Sequence, residues 1–170
     1  MRSLREYLRA LAALALLAIP GTVAHATGIS ILDTVQSAQS QYAARRLREA
    51  WADPAAAARD QGAEIELRLD PGLGAEAFSL TRTGKRCVVS GGDARGLIYG
   101  ALDVREQLLQ GTPLTRVHAG THRPALAFRG IKFNTPWDSY RPSSALDQHY
   151  ATVRDLEFWE AFLDMMAENR

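Results

Sequence analysis

The sequence predicts an α+β fold: a small sheet with helices on one face, succeeded by a further βα unit. Three observations predict it. Ile65, Leu67 and Leu69 alternate with Glu64, Glu66 and Arg68, the two-residue period of a strand buried on one side. Leu97, Ala101, Val104 and Leu108, with Ile98, Leu102 and Leu109, recur at helical spacing behind a Gly91-Gly92-Asp93 break. The stretch from Ala127 to Arg170 has an apolar start, a long aromatic loop and an amphipathic helix. Its apolar surface exceeds what one strand and one helix bury between themselves, so its partners are expected beyond Arg170.

A length of 170 residues suits one domain, or one and a part, and 46% hydrophobic with 23% charged residues excludes wholesale disorder. The first 26 residues give an arginine-bearing start, an apolar run from Ala10 to Ile19, a Pro20-Gly21 break and an Ala24-His25-Ala26 ending. That is the plan of a secretory leader cut after Ala26, since the apolar run is short of the ~20 residues that span a bilayer. Export places the mature protein in the periplasm or outside the cell, with no membrane attachment after cleavage. Removing Arg2, Arg5, Arg9 and Glu6 from 20 basic and 19 acidic residues leaves 17 against 18. A chain so balanced lacks the basic stripe of a nucleic-acid binder. Cys87 is the single cysteine, within an apolar run, and reads as a buried inert thiol.

Taken in order, Ile29 to Val35 has the β-branched content of a short strand, and the segment to Trp51 is helical, with Tyr42, Leu47 and Trp51 near one side. Asp53-Pro54 ends that helix or opens a second, short one through Ala58. The strand at 64–69 stops at the turn Asp70-Pro71-Gly72. Phe78 and Leu80 begin a hairpin that turns at Thr83-Gly84-Lys85 and returns through Cys87, Val88 and Val89. Asp93 is placed to cap the next helix, whose Gly96 and Gly100 lie one turn apart and read as a surface for close approach to the sheet. A rival reading makes 91–96 a phosphate cradle of a nucleotide-binding protein, but the spacing matches neither glycine fingerprint. These elements make a domain over 27–111, joined by a linker over 112–126 to the final βα unit. His118 and His122, in the linker, have ligand-like spacing without acidic or cysteine companions, so they read as solvated loop histidines and no metal is expected.

Phe128, Ile131 and Phe133 predict a strand ending at Asn134-Thr135-Pro136, and a long connection then runs to about Ala151. Thr152 or Asp155 caps the last helix, on which Leu156, Trp159, Phe162, Leu163 and Met166 form the apolar face. Read as the first βα unit of an incomplete (β/α)8 barrel, 127–170 places its loop on the face where such barrels bind substrate. Trp137, Asp138, Tyr140 and Arg141 then become the substrate-binding candidates. Aromatic rings stack on the apolar faces of sugars, and Asp or Arg pairs with vicinal hydroxyls. The plainer alternative is that Trp137 and Tyr140 pack the loop onto the small domain.

Gly92, Asp93, Gly96, Tyr99, Gly100, Ala101 and Leu102, then Arg129 and Gly130, then Leu163, Asp164, Met166, Ala167, Asn169 and Arg170 carry a family likeness. Over nearly all the mature chain the sequence resembles the glycoside hydrolases of the β-N-acetylhexosaminidase type and their relatives, including α-glucuronidase-like and N-acetylglucosaminidase-like enzymes. The resemblance implies an accessory α+β domain ahead of a catalytic barrel, a carbohydrate substrate and no cofactor. In that family an arginine shortly after the first barrel strand grips sugar hydroxyls; the matching position here is near Trp137, with Arg141 four residues on. The family's aspartate-glutamate pair belongs to a later strand, so no catalytic residue is expected before Arg170.

The leading expectation is therefore the N-terminal portion of an exported glycoside hydrolase, inactive alone, whose partner is the remainder of its own barrel. The alternative is a secreted non-catalytic module that binds carbohydrate or protein through the 135–151 loop.

Overall fold

A computed structural model describes residues 28–132 and 150–169. Residues 1–26, expected to be a leader, and the residues Trp137, Asp138, Tyr140 and Arg141 lie outside them. Strand β1 (Ser30–Asp33) leads to helix α1 (Ala38–Glu49) and the short helix α2 (Pro54–Arg59), then to strand β2 (Glu64–Leu69). A hairpin of β3 (Phe78–Thr83) and β4 (Arg86–Gly91) precedes helix α3 (Ala94–Leu109). Strand β5 (Gly120–His122) comes next, and the last element is helix α4 (Leu156–Asn169).

Local chemistry sets these boundaries. Ser37 and Ser40 form a reciprocal capping box at the start of α1, and Asp53 caps α2 with Pro54 in its first turn, so proline opens the second helix. Gly84, at φ 58, turns the hairpin.

The sheet order is β1-β2-β4-β3-β5, with β1, β2 and β4 parallel and β3 antiparallel to both β4 and β5. Register puts Ile65 beside Cys87, Leu67 beside Val89, and Leu80 on the other side of Val89. All five are buried, together with Leu47 of α1 and Leu97, Ala101, Val104 and Leu108 of α3. The opposite sheet face carries Glu64, Glu66, Arg68 and Arg86, with ion pairs from Arg86 to both glutamates. A single covered face is what the alternation in β2 dictates. Leu69 departs from the expectation: it sits on the last rung, beside Gly91, and is 42% exposed.

Helix α3 lies on the sheet at glycine distance. A Cβ on Gly96 would overlap the Ala77 carbonyl oxygen, one on Gly92 the Gly74 carbonyl oxygen, and one on Gly100 would stand 2.7 Å from a Val89 methyl. The Asp93 carboxylate accepts from Gly96 N–H at 2.8 Å. Carbonyl oxygens and a carboxylate thus occupy the surroundings of these glycines, which makes them packing contacts and leaves an anion no favourable seat.

The segment expected to be a linker instead completes the domain. Leu114 and Val117 are 1% exposed members of the core, and residues 120–122 pair with β3. His122 stacks on Phe78 with ring centroids 4.7 Å apart and belongs to a strand rather than a loop, though it is exposed, as is His118. Asp60, 4% exposed, ties this segment down: it accepts from the Trp51 indole at 3.0 Å and from Leu114 N–H at 2.9 Å, and pairs with Arg59. The strand expected from 127 is not formed over its described part. Residues 123–132 have no regular secondary structure and pair with no strand of the sheet, and Phe128 is 86% exposed.

These contacts set two expected losses of stability. Gly96→Ala should cost about 2 kcal/mol in urea unfolding, because backbone must move to admit the methyl; an unchanged midpoint would refute the close approach. Asp60→Ala should cost about 3 kcal/mol by leaving two buried N–H groups without an acceptor, and a loss below about 1 kcal/mol would show that neither bond matters.

Candidate functional site

A cleft of about 410 Å³ opens where the segment after β5 and the end of α4 meet the first turns of α3. Glu76, Arg95, Tyr99, Ile131, Met165 and Met166 contribute to its walls. Glu76 sits in the turn before β3 with φ 58, a left-handed conformation uncommon outside glycine and asparagine. Its carboxylate takes the Arg95 guanidinium at 2.7 Å and also pairs with Arg129. Arg129 donates to the Leu126 carbonyl at 3.0 Å, and its bond to the Tyr99 hydroxyl, reinforced by Glu76, raises its pKa above the ordinary arginine value. The node thus fastens the chain leaving β5 to the face of α3 turned away from the sheet.

Chemically this is a tie. Hydrolysis of a glycosidic bond ordinarily takes two carboxyl groups facing each other across the bond. The oxygens of Glu76 are taken up by two guanidiniums, while Asp93 caps α3 and stands 3.7 Å from Arg95. Among the described residues no group of three His, Cys, Asp or Glu is placed to hold a metal ion, and no helix is long and apolar enough to cross a membrane. Tyr99 and Arg129 stand among the motif residues of the sequence; Glu76 does not, because a turn residue has no period to betray it.

Cys87 is fully buried in β4, and that burial pushes its thiol up to about 11.

The class defined here is a one-sided mixed-sheet α+β domain with a charged junction to a more C-terminal segment. The model of glycosyl hydrolase family 20, domain 2, matches residues 12–122, and the chain belongs to that family. The match ends on the last residue of β5, so the sheet-closing strand is inside it. No curated protein matches the chain. Among solved structures it resembles a GH138 enzyme targeting pectin rhamnogalacturonan II, with a TM-score of 0.61 and 22% identity over 83% of this chain. That likeness is one of fold. The matched part is 22% of the enzyme's own length.

Cys87 should resist a thiol reagent in the folded protein at pH 8 and react on unfolding. Its folded pKa lies above the ordinary value of 9.0, so its contribution to stability is complete below about 9 and fades as pH rises towards about 11. Rapid native-state labelling at pH 8 would contradict the burial.

Proposed function

We propose that this chain is the N-terminal portion of an exported glycoside hydrolase acting on oligo- or polysaccharide. In this reading the leader over 1–26 is removed on export, and the domain through His122 is an accessory platform. Residues 127–170 begin a catalytic (β/α)8 barrel, completed by chain beyond Arg170. Trp137, Asp138, Tyr140 and Arg141, in the 135–151 connection, bind sugar there by ring stacking and paired hydrogen bonds.

The observation that carries the reading is the state of α4 and the segment before it. No residue of α4 is buried, and Leu156 and Leu163 are 70% and 60% exposed, as is Ile131 at 59%. Apolar surface gathered on one amphipathic helix and its approach segment marks an interaction face. Family membership supports a carbohydrate-active catalytic unit as what that face meets, and the much greater length of the GH138 enzyme is in keeping with it.

With the catalytic carboxylates on later strands, the 170-residue chain should release no chromophore from aryl glycosides above the buffer rate. The same chain extended through the downstream reading frame should turn over at least one of them. Turnover by the 170-residue chain would overturn the assignment, as would a frame that ends without encoding further strands and helices.

A further inference from the structure

The end of α4 touches the accessory domain through charge. Glu168 pairs with Arg46 of α1, and with Arg105 of α3 at 3.4 Å. Both arginines also hold Glu49, at 3.1 and 3.3 Å, so two cations and two carboxylates alternate across three helices. One turn earlier, Asp164 lies beside Tyr42; burial and this carboxylate raise the pKa of the phenol. The arginine side chains are only 17% and 20% exposed, which shields the pairs from solvent more than an ordinary surface bridge.

Glu168 is in the wrong place for a free helix. The last turn of α4 has no basic residue of its own, and a carboxylate there opposes the negative end of the helix dipole. Cations brought up by another element reverse that penalty. The Nε–H groups of Arg46 and Arg105 are buried without an acceptor, so the joint does not satisfy every polar group it covers.

We propose that Arg46 and Arg105 are a clasp by which the accessory domain captures the helix 156–169 at its acidic C-terminal turn, ordering the helix and setting its orientation. The two arginines are positioning residues. Combined with the proposed function, which identifies only what lies on the helix's apolar side, the clasp fixes the angle at which the accessory domain presents the first barrel helix to the rest of the catalytic unit.

Hydrogen-deuterium exchange on the intact 170-residue chain tests the clasp without any glycoside. Glu168→Gln should speed exchange over 156–169 by roughly three- to tenfold, the range expected of two partly shielded ion pairs, while β2 and β4 keep their protection. Raising NaCl from about 0.1 M to about 1 M should do the same, since the screening length shrinks from ~10 Å to ~3 Å. Arg105→Gln should speed exchange in the parent and add little in the Glu168→Gln background, a coupling that mere loss of packing would not produce. Glu160→Gln, an exposed change on the same helix, should have no effect. Equal exchange in parent and Glu168→Gln, additive single and double variants, or an unprotected helix in the parent would each overturn the clasp. None of these outcomes depends on whether the chain belongs to a glycosidase, so the two ideas fail separately.

Discussion

The close seating of α3 on the sheet is the constraint on which the other features depend. Gly92 and Gly96 admit the Gly74 and Ala77 carbonyls, Gly100 admits Val89 and Phe78, and Leu97, Ala101, Val104 and Leu108 fill the space beneath. One helix therefore has two jobs. Its inner side makes the core, and its outer side holds Arg95, Tyr99 and Arg105 at fixed points along the axis. Each meets chain from outside the helix and its sheet: Tyr99 binds Arg129, Arg95 shares Glu76 with it, and Arg105 binds Glu168. A helix riding a few ångströms higher would carry all three contacts with it.

In the proposed reading this domain acts as a jig. It closes its own core with Leu114, Val117 and β5, all within the matched residues, and directs its charged surface at the chain beyond them. Charged pairs cross the junction, while Leu156 and Leu163 on α4 remain open. Polar joints tolerate adjustment, whereas apolar faces demand cover. The asymmetry suits a platform that holds its neighbour while the neighbour builds a core of its own.

Much of the domain is legible in the residues. The alternation of Ile65 and Leu67, the Asp93 cap, the proline at the start of α2 and the glycine pair in α3 each state a local requirement, and local requirements survive into the fold. Legibility fails where the deciding partner is distant. Gly120, Thr121 and His122 have no apolar alternation, and they form a strand only because β3 offers an edge. Leu114 and Val117, set among polar and proline residues, are core because Asp60 pulls that loop inward. Phe128 and Ile131 have strand-like content, yet content registers the need for cover and not the presence of a neighbour to bond with. For the site, Arg129 and Tyr99 are visible as motif residues, whereas Glu76 is not. The aromatic loop with Trp137 and Tyr140 lies outside the described residues.

Helix α4 presents apolar surface that this domain does not cover, and the functional reading stands or falls on that surface. Titration of the chain with an environment-sensitive hydrophobic dye, beside variants carrying Leu156→Ser and Leu163→Ser, addresses it directly. Saturable dye fluorescence in the folded parent, reduced several-fold in the variants at equal helicity, is the predicted result. A folded parent that leaves the dye dark, or variants that bind it just as well, would contradict it.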